Sequence, residues 1–449
     1  MNIDFIRKYV NHYKRILVVG FPILLGQLGV IITGFADTMM VGRYSTDALA
    51  SASFVNSVIN LMSIVCLGFS YGLTPLVGSY FARAETLKVA TVVKTALVLN
   101  LLFTLLCAAI LLVVYFFLDS MGQPSHLLPL MRPYYMVVLI SMIPVGVVNA
   151  LRQFTDGITD TKIAMLILVG GNLLNIVGNW VLIYGRCGFP ELGLYGAGVS
   201  TLVARISMLV VYVGCLCAMK KYKPYVKAYT KGKITTKEMK QVVTVSMPVA
   251  LQMGMETTIF TVAALFVGWL GAEYLAAYQV VLMVGTFGFM VYYSLGAGAS
   301  ILVANHAGVS DIVNVRRCAF AAYHVILATA LFASLLILTV GEDVMRWATS
   351  DERVIEISLT LIVPWIVYQL GDATQIAFAN VLRGIKCVLP VMRYAFWSYI
   401  VLGIPACYIF AFPLNGGIVG VFLSFAVSLF VAGVLFMRRF HKETKNMCK

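Results

Sequence analysis

Three acidic residues lie inside otherwise apolar stretches of the 449-residue chain. Asp37 follows FPILLGQLGVIITGFA, Glu256 lies in PVALQMGMETT, and Asp372 lies in YQLGDATQIAFANV. A lone carboxylate in hydrocarbon costs about 2.5 kcal/mol or more, so such a group faces a cavity, binds a proton or a cation, or has a partner. We interpret the three acids as coupling or substrate sites, and structural hydrogen-bonded acids are the alternative.

Glu256 and Asp372 both lie near the middle of their apolar runs. Two carboxylates within a few ångströms of each other do not both ionise cheaply, so such a pair requires Na+ between them or a retained proton. Tyr368 precedes Asp372 by one helical turn and shares its face. Its hydroxyl either completes an oxygen shell around a cation or simply packs.

Polar residues also lie inside the apolar runs of the first half. Asn172, Asn175 and Asn179 recur on one face of a single apolar run. Their amide oxygens suit a hard cation, but intramembrane Asn also bonds neighbouring helices, and the sequence leaves both interpretations open. Arg205 lies about fifteen residues before Lys220, roughly 22 Å by helix rise, which is too far for its side chain to reach the cytoplasmic surface. We therefore expect it to pair with helix-end carbonyls or a carboxylate, with direct substrate contact as the alternative.

The elements that position these residues are transmembrane helices. The chain is 61% hydrophobic and 12% charged, with a mean hydropathy of +0.91, which excludes a sizeable soluble domain. No phosphate-binding loop or nucleophile elbow is present, so we expect neither an enzyme nor an organic cofactor. The apolar runs predict an all-α membrane protein with twelve spans near residues 16–42, 48–80, 89–117, 133–151, 163–184, 194–219, 241–270, 275–305, 318–340, 355–380, 392–411 and 416–437.

Most of the 33 Lys and Arg residues fall on one side when the connections between these spans are assigned alternately. That side includes both termini, Arg152, Arg383 and the lysine-rich stretch at 220–240. Cytoplasmic loops carry the positive excess, so we expect a multi-pass protein of the inner (plasma) membrane with both termini in the cytoplasm. The net charge of +14 then reflects topology and contact with the lipid bilayer, and we expect no nucleic-acid partner.

The two halves of the chain repeat one another at a nearly constant offset. Pro22 falls on Pro248 and Gly72 on Gly298, and Gly157 falls on Gly384 with the offset longer by one. The sequence thus predicts an N-terminal six-helix lobe (1–219), a basic cytoplasmic linker (220–240) and a C-terminal six-helix lobe (241–449). Two pseudo-symmetric lobes around a central cleft, with alternating access, are typical of secondary transporters.

These motifs resemble those of the multidrug and toxic compound extrusion (MATE) family over essentially the whole chain. The resemblance is carried by Pro22 with Asp37, by VGRYSTDALA, by PVALQMGMETT with VGWLGAEYLAAYQ, and by YQLGDATQIAFANVLRGIK. It implies a V-shaped pair of six-helix bundles that exports cationic amphiphilic drugs in exchange for Na+ or H+. We expect the protein to be a monomer.

By position, Glu256, Tyr368 and Asp372 resemble the cation site of the NorM-like branch, where the resemblance allows a bound Na+. Asp37 with Asn175 and Asn179 resembles the first-lobe acidic site. A second Asp stands at the position of Asn179 in the DinF-like branch, which favours the NorM-like branch. Asp37, Gln279 and Asp351 resemble positions that contact substrate.

Two other functions remain as alternatives. A flippase for a lipid-linked precursor, from the same broad superfamily, needs several cationic residues in its cavity to hold pyrophosphate, and the spans offer Arg205 against three acids. A channel or receptor needs no coupling to an ion gradient. An organic cation as cargo fits the acidic spans better than a pyrophosphate does, and uphill, gradient-dependent transport would distinguish a transporter from a channel or receptor.

Overall fold

The structure is a computed structural model that describes residues 3–447, and their side chains from residue 9 onward. All regular elements in that range are helical. The longer helices are α1 (Ile3–Tyr44), α2 (Thr46–Tyr71), α3 (Leu73–Ala82), α4 (Thr86–Phe116), α5 (Leu128–Gly157), α6 (Thr161–Ile183), α7 (Gly193–Ala218), α8 (Lys223–Lys231), α9 (Thr236–Leu270), α10 (Ala272–Gly308), α11 (Ile312–Ala348), α12 (Glu352–Thr360), α13 (Ile362–Gly384), α14 (Val388–Ala395), a π-helix (Phe396–Gly403), α15 (Ile404–Ala411) and α16 (Gly417–Asn446).

The helical pattern confirms the predicted membrane architecture. In the described part of the chain, 11 helical segments are long and apolar enough to cross a membrane, and a bent pair, α12 with α13, makes up to 12. Large apolar side chains such as Phe116 (71% exposed) and Phe332 (69% exposed) point away from the protein. Such exposure is costly in water but suits a helix that faces lipid.

The tenth span differs from the continuous helix that the sequence predicted. It is bent by 53° between α12 and α13. Pro364 has no backbone N–H, so it cannot bond the carbonyl of Thr360 one turn earlier. The helix therefore breaks at Leu361, directly after the end of α12.

Backbone contacts divide the described chain into two compact units, and their boundaries differ from the predicted lobes. The first unit is Leu25–Ala250, and the second joins the residues up to Leu24 with those from Leu251 onward. Each boundary cuts a long helix, α1 or α9, and the two cuts fall at corresponding positions of the repeat. The start of each half therefore packs with the other half.

Close contacts at glycine explain this exchange. A Cβ on Gly72, between α2 and α3, would lie 2.5 Å from the Ser246 Cα of α9. A Cβ on Gly298 of α10 would lie 3.1 Å from the Gly20 Cα of α1. In the repeat, Gly72 corresponds to Gly298 and Gly20 corresponds to Ser246, so the two contacts are equivalent. Each contact joins the start of a helix from one half of the sequence to a glycine of the other half. Two helices approach this closely only where a side chain is missing.

The repeat is also visible inside each unit. Gly157 at the end of α5 approaches Val77 of α3, with 2.7 Å from an added Cβ to the Val77 Cβ. Gly384 at the end of α13 approaches Val303 of α10 in the same way, at 2.9 Å from the Val303 Cγ1. The same two positions thus meet in both halves, which confirms the predicted pseudo-symmetry.

The basic segment 220–240, which we predicted as a linker between lobes, lies within the first unit. Its helix α8 packs against α4, and Lys94 Nζ of α4 donates to the Gly232 carbonyl at 3.0 Å. The segment contains helix α8 and the first residues of α9. The residues of α9 up to Ala250 belong to the first unit, and those from Leu251 belong to the second.

Candidate functional site

The second unit contains an acid cluster formed by Glu256 of α9 with Tyr368 and Asp372 of α13. Asp372 is 2% exposed and Tyr368 is 7% exposed, whereas Glu256 is half-buried. The two carboxyl groups interact electrostatically with each other, and the Tyr368 hydroxyl interacts with both. The structure thus brings together the three residues that the sequence assigned to a cation site.

Asp372 is the least compensated member of this acid cluster. Its Oδ1 is buried and accepts no hydrogen bond from the residues that the structure describes. A buried polar atom without a partner loses its hydration without compensation. The Oδ1 atom is therefore a ready acceptor for a proton or a ligand for a small cation.

Glutamines surround the acids, and the sequence analysis did not single them out. Gln252 Nε2 donates to Glu256 Oε2 at 3.4 Å, and Gln375 Nε2 donates to the Tyr399 hydroxyl at 2.6 Å. The Oε1 of Gln375 is also buried without a partner among the described residues. Amide oxygens are hard ligands, so Gln375 adds a candidate oxygen on the face of Asp372.

Sequence periodicity could have identified part of this shell. Gln369 and Gln375 lie three residues before and after Asp372, and Gln252 lies one turn before Glu256, so each shares a face with its acid. Tyr399 carries no such signal, because it belongs to the π-helix on the eleventh span. π-Helical turns occur frequently at functional sites.

A second acid cluster lies in the first unit around Asp37 of α1. Asn179 of α6 donates its amide to Asp37 Oδ1. Asn175 donates to the same atom at 3.0 Å in the amide orientation in which its oxygen accepts from Thr201. The sequence left two roles open for these asparagines, cation binding and hydrogen bonding to a neighbouring helix, and each role falls to a different residue. The Asn175 oxygen is engaged with α7, whereas Asn179 Oδ1 is buried without a partner in the described chain and is available to a cation.

Arg205 of α7 belongs to the same region, and the expected partners were helix-end carbonyls or a carboxylate. Its Nη1 donates to the Ser141 hydroxyl at 2.6 Å rather than to a helix-end carbonyl. Its guanidinium also interacts electrostatically with Asp37 and with Tyr134. Arg205 thus supplies positive charge beside the acid of the first unit.

The architecture and both acid clusters can be compared with known proteins. A sequence model of the MatE family matches the chain twice, over residues 22–181 and 248–409. The two matches begin at corresponding positions of the repeat and together cover well over half of the chain. The chain belongs to the MatE family.

Curated relatives place this MATE chain beside the NorM proteins. It is 30% identical over 442 residues to the multidrug resistance protein NorM of Vibrio cholerae, covering 97% of this chain and 96% of that protein. It is 27% identical over 450 residues to the probable multidrug resistance protein NorM of Mannheimia succiniciproducens, covering 98% and 96%. The chain is therefore a NorM-like MATE transporter.

Solved MATE structures share the fold of this chain. A transporter of the MOP superfamily from Pyrococcus furiosus, whose binding pocket is described as having reverse polarity, matches with a TM-score of 0.87 at 18% identity over 98% of this chain and 97% of that one. A multidrug resistance MATE transporter in an outward-facing conformation matches with a TM-score of 0.86 at 17% identity, covering 97% and 96%.

The remaining predicted residues of this MATE transporter lie elsewhere. Asp351 is exposed and caps α12, accepting from the backbone N–H groups of Arg353 at 2.9 Å and Val354 at 3.3 Å. Gln279 is an exposed side chain of α10. In the described chain no hydrogen bond joins either residue to an acid cluster.

Two arginines that the sequence assigned to cytoplasmic loops are buried within helices of this MATE transporter. Arg152 lies near the end of α5 and Arg383 in the last turn of α13, and each is 5% exposed. Arg152 Nε lies 3.6 Å from Asp156 Oδ2. The loop assignment was wrong because both residues stand where an apolar run ends, and hydropathy does not distinguish a buried last turn from a loop.

Proposed function

We propose that this MATE chain is a secondary antiporter that exports cationic amphiphilic compounds in exchange for Na+ or H+. The observation that carries the proposal is the buried Asp372, whose Oδ1 lacks a hydrogen bond within the described chain and whose electrostatic neighbour is another acid, Glu256. Buried acids with this environment favour a proton or a cation as partner. Reversible occupancy of such a site is what coupling to an ion gradient requires.

The distribution of buried positive charge supports a cationic cargo. Arg205 interacts with Asp37, Arg383 interacts with Glu256, and Arg152 pairs with Asp156. These arginines are therefore offset by acids and do not form a cationic cavity of the kind that would hold a pyrophosphate. The same charges argue against a lipid-linked precursor as the cargo.

The relatives support the cargo class in a second way. The Vibrio cholerae protein is named a multidrug resistance protein, and this chain covers 96% of it. Aromatic residues beside the acids of the second unit, such as Phe260 against Tyr368 at 6.3 Å between ring centroids, suit the apolar body of an amphiphile.

We infer further that the protein lies in the inner membrane as a monomer with both termini in the cytoplasm. The lysines of segment 220–240 support this orientation, because the positive excess belongs on the cytoplasmic side. Labelling of single cysteines introduced near each terminus, in sealed vesicles of known orientation, tests it.

Transport into proteoliposomes tests the antiport mechanism. The purified protein is reconstituted, a fluorescent organic cation is supplied, and Na+ and pH gradients are imposed separately. We expect uphill transport driven by at least one gradient, and Asp372→Asn abolishes it because the amide keeps the shape of the side chain but neither exchanges a proton nor attracts Na+.

A matched control separates the loss of this acid from a general effect of substitution. Asp343→Asn removes an exposed carboxylate of α11 and leaves transport unchanged. Wild-type transport that proceeds equally without any gradient would favour a channel, and full activity of Asp372→Asn would remove Asp372 from the mechanism.

A further inference from the structure

A groove of about 390 Å³, which we call the α6–α7 groove, lies between these two helices of the first unit. Its walls are apolar apart from the Ser207 hydroxyl and the Cys215 thiol. On α6 its lining residues extend from Ile163 to Leu174, which is about 16 Å at the rise of an α-helix. The hydrocarbon core of a bilayer is about 30 Å thick, so one leaflet supplies about 15 Å. The groove therefore matches the hydrocarbon depth of one leaflet.

The α6–α7 groove opens toward lipid. Large aliphatic side chains are exposed beside it on both helices, with Leu166 of α6 at 60% and Val210 of α7 at 64%. The contact between α6 and α1 lies on another face of α6, where an added Cβ on Gly26 of α1 would lie 3.3 Å from Leu168 Cδ1. Exposed aliphatic surface of this kind suits lipid tails. The groove is thus separate from the Asp37 cluster and accessible from the bilayer.

Two neighbouring glycines shape the α6–α7 groove. Gly171 lies against α7, where an added Cβ would collide with the Met208 side chain. Gly170 also lines the groove, but among the described residues no atom outside its own helix lies within 4 Å of an added Cβ there. The two helices therefore touch at Gly171, whereas the missing side chain of Gly170 leaves open space beside the contact.

Lysines surround the end of the groove at which α6 begins and α7 ends. Lys162 directly precedes the lining residue Ile163, and Lys220 and Lys221 follow α7. Lys221 Nζ donates to Asp160, which directly precedes α6, so the two helix ends meet at this point. Lys162 and Lys220 are exposed, and in the described part of the chain neither forms an ion pair. Two ammonium groups are therefore available to an anion at this end of the groove.

We propose that the α6–α7 groove binds an anionic phospholipid, with one acyl chain between the helices and the phosphate at Lys162 and Lys220. Apolar walls suit the chain, and basic pockets between transmembrane helices on the cytoplasmic side bind anionic head groups. In the proposed orientation this end of the groove is cytoplasmic, so the ligand comes from the inner leaflet. The site itself depends neither on the antiport mechanism nor on the cargo.

The charge at the end of the groove separates an anionic phospholipid from other amphiphiles. A cationic amphiphile also carries an apolar body, but its charge is repelled by the lysines. A zwitterionic phospholipid has the same chains, and its own ammonium group offsets the attraction of its phosphate. Each lysine near an anionic lipid strengthens binding by about fivefold. Two lysines therefore give a preference of about tenfold or more for the anionic lipid.

Lipid binding to the purified full-length protein, measured by native mass spectrometry after delipidation, tests the site. Phosphatidylglycerol and phosphatidylcholine with identical acyl chains are titrated separately. We expect one high-affinity site that binds phosphatidylglycerol about tenfold or more tightly than phosphatidylcholine. Inorganic phosphate is the third arm and is not expected to compete at equal concentration, because it lacks the chain. Competition by inorganic phosphate at the concentration of the lipid, or equal binding of the two lipids, would overturn the proposal.

Charge variants test the lysines. Lys162→Gln/Lys220→Gln abolishes the preference for phosphatidylglycerol and leaves the binding of phosphatidylcholine unchanged. The matched control, Lys227→Gln/Lys231→Gln, removes two exposed lysines of α8, a helix that packs against α4, and retains the preference. An equal loss in both double variants would indicate general attraction to a basic surface and would contradict a site at the groove.

Filling the groove tests the position of the acyl chain. Gly170→Leu places a side chain in the open space and lowers the affinity for both phospholipids about tenfold or more, since the chain loses its apolar contacts. Gly214→Leu is the control, because Gly214 of α7 is exposed outside the groove and an added Cβ there meets no described atom within 4 Å. Equal binding by the two variants would overturn the proposal.

Thermal unfolding in detergent shows whether each variant is folded. If Gly170→Leu does not fold, Ser207→Leu fills the groove from α7 and takes its place. These measurements use neither an ion gradient nor an oriented membrane. A failure of antiport or of the proposed orientation therefore leaves the lipid site standing, and the loss of the lipid site leaves both of those proposals standing.

Discussion

Gly298 lies directly against Gly20, so that a Cβ on Gly298 would fall 3.0 Å from the backbone nitrogen of Gly20. The corresponding pair, Gly72 and Ser246, is tighter still, with 2.5 Å from an added Cβ to the Ser246 Cα. The first contact joins the start of α1 to the second half of the sequence, and the second contact joins the start of α9 to the first half. They are the places where the exchange of α1 and α9 is most sensitive to an added methyl group.

Gly72→Ala and Gly298→Ala are therefore expected to destabilise the protein, with the larger effect at Gly72. Overpacking of a close backbone contact costs about 1–3 kcal/mol, because a backbone atom cannot move aside as a flexible side chain does. The measurement is thermal unfolding in detergent. Gly34→Ala is the control, since among the residues that the structure describes no atom outside its own helix lies within 4 Å of an added Cβ there. Equal stability of Gly72→Ala and Gly34→Ala would contradict the close packing.

Asp37→Asn is expected to lower the apparent affinity for a cationic drug without unfolding the first unit. The amide retains the size of the side chain, but it leaves the Arg205 charge, which interacts with Asp37, without its acid. We expect a loss of about tenfold or more in affinity for cations, because the local charge becomes positive. Equilibrium binding of a fluorescent cation measures this effect. Asp47→Asn, an exposed acid of α2, is the control, and an equal loss in both variants would argue for non-specific attraction.

Drug and coupling cation are expected to weaken each other's binding in the outward-open form. Exchange requires that the cation favour the state that has released the drug, and linkage makes the effect reciprocal. Drug affinity is measured in NaCl, KCl and choline chloride at equal ionic strength and repeated across pH. Asp372→Asn removes most of the antagonism.

General screening is the alternative explanation for such antagonism, and it would be reproduced by any monovalent salt. Affinities that are identical in all three salts and at every pH would leave Glu256 and Asp372 as structural acids.

Asp311→Ala is expected to destabilise the protein by about 0.5–2 kcal/mol, the usual cost of losing an N-cap. Asp311 begins α11 and accepts from the Asn314 backbone N–H at 3.1 Å and from its side-chain amide at 2.7 Å. These hydrogen bonds hold the pKa of the Asp311 carboxyl below its ordinary value. Because the folded-state pKa is lowered, the contribution is complete above the ordinary pKa and disappears as the pH falls through the lowered one.

The unfolding temperature of Asp311→Ala relative to the wild type gives this contribution. Asp311→Asn retains a capping side chain and is expected to lie close to the wild type at neutral pH. A stability difference that grew between pH 7 and pH 5 would contradict the assignment, because the carboxyl group stays ionised throughout that range.

The sequence predicted the spans and the acid cluster of Glu256, Tyr368 and Asp372 because hydropathy marks depth and helical periodicity marks a face. It did not predict the exchange of α1 and α9. Both halves present the same pattern, so the pattern is equally satisfied whether a helix start packs with its own half or with the other. Only the close contacts at Gly72 and Gly298 distinguish the two arrangements.

The charged residues at helix ends were the second source of error. Arg383 and Arg152 follow apolar runs, as loop cations do, and only tertiary contacts show that they are buried. Pro364 alone did not predict the break at Leu361, because Pro22 and Pro248 stand inside helices that remain continuous. The hydrogen-bond partners of Asn175 and Asn179 could not be predicted from the sequence, because a side-chain amide both donates and accepts and its neighbours decide which it does.

The exchanged helix starts also constrain how the protein is made. A ribosome finishes residues 25–219 before it synthesises the start of α9, so the first unit waits for part of the second half before it can close. The residues of α1 up to Leu24 wait longer, because Gly298 on α10 is translated much later. Each unit therefore contains residues from both halves of the sequence. Two separately translated halves would have to exchange the starts of α1 and α9 to form both units.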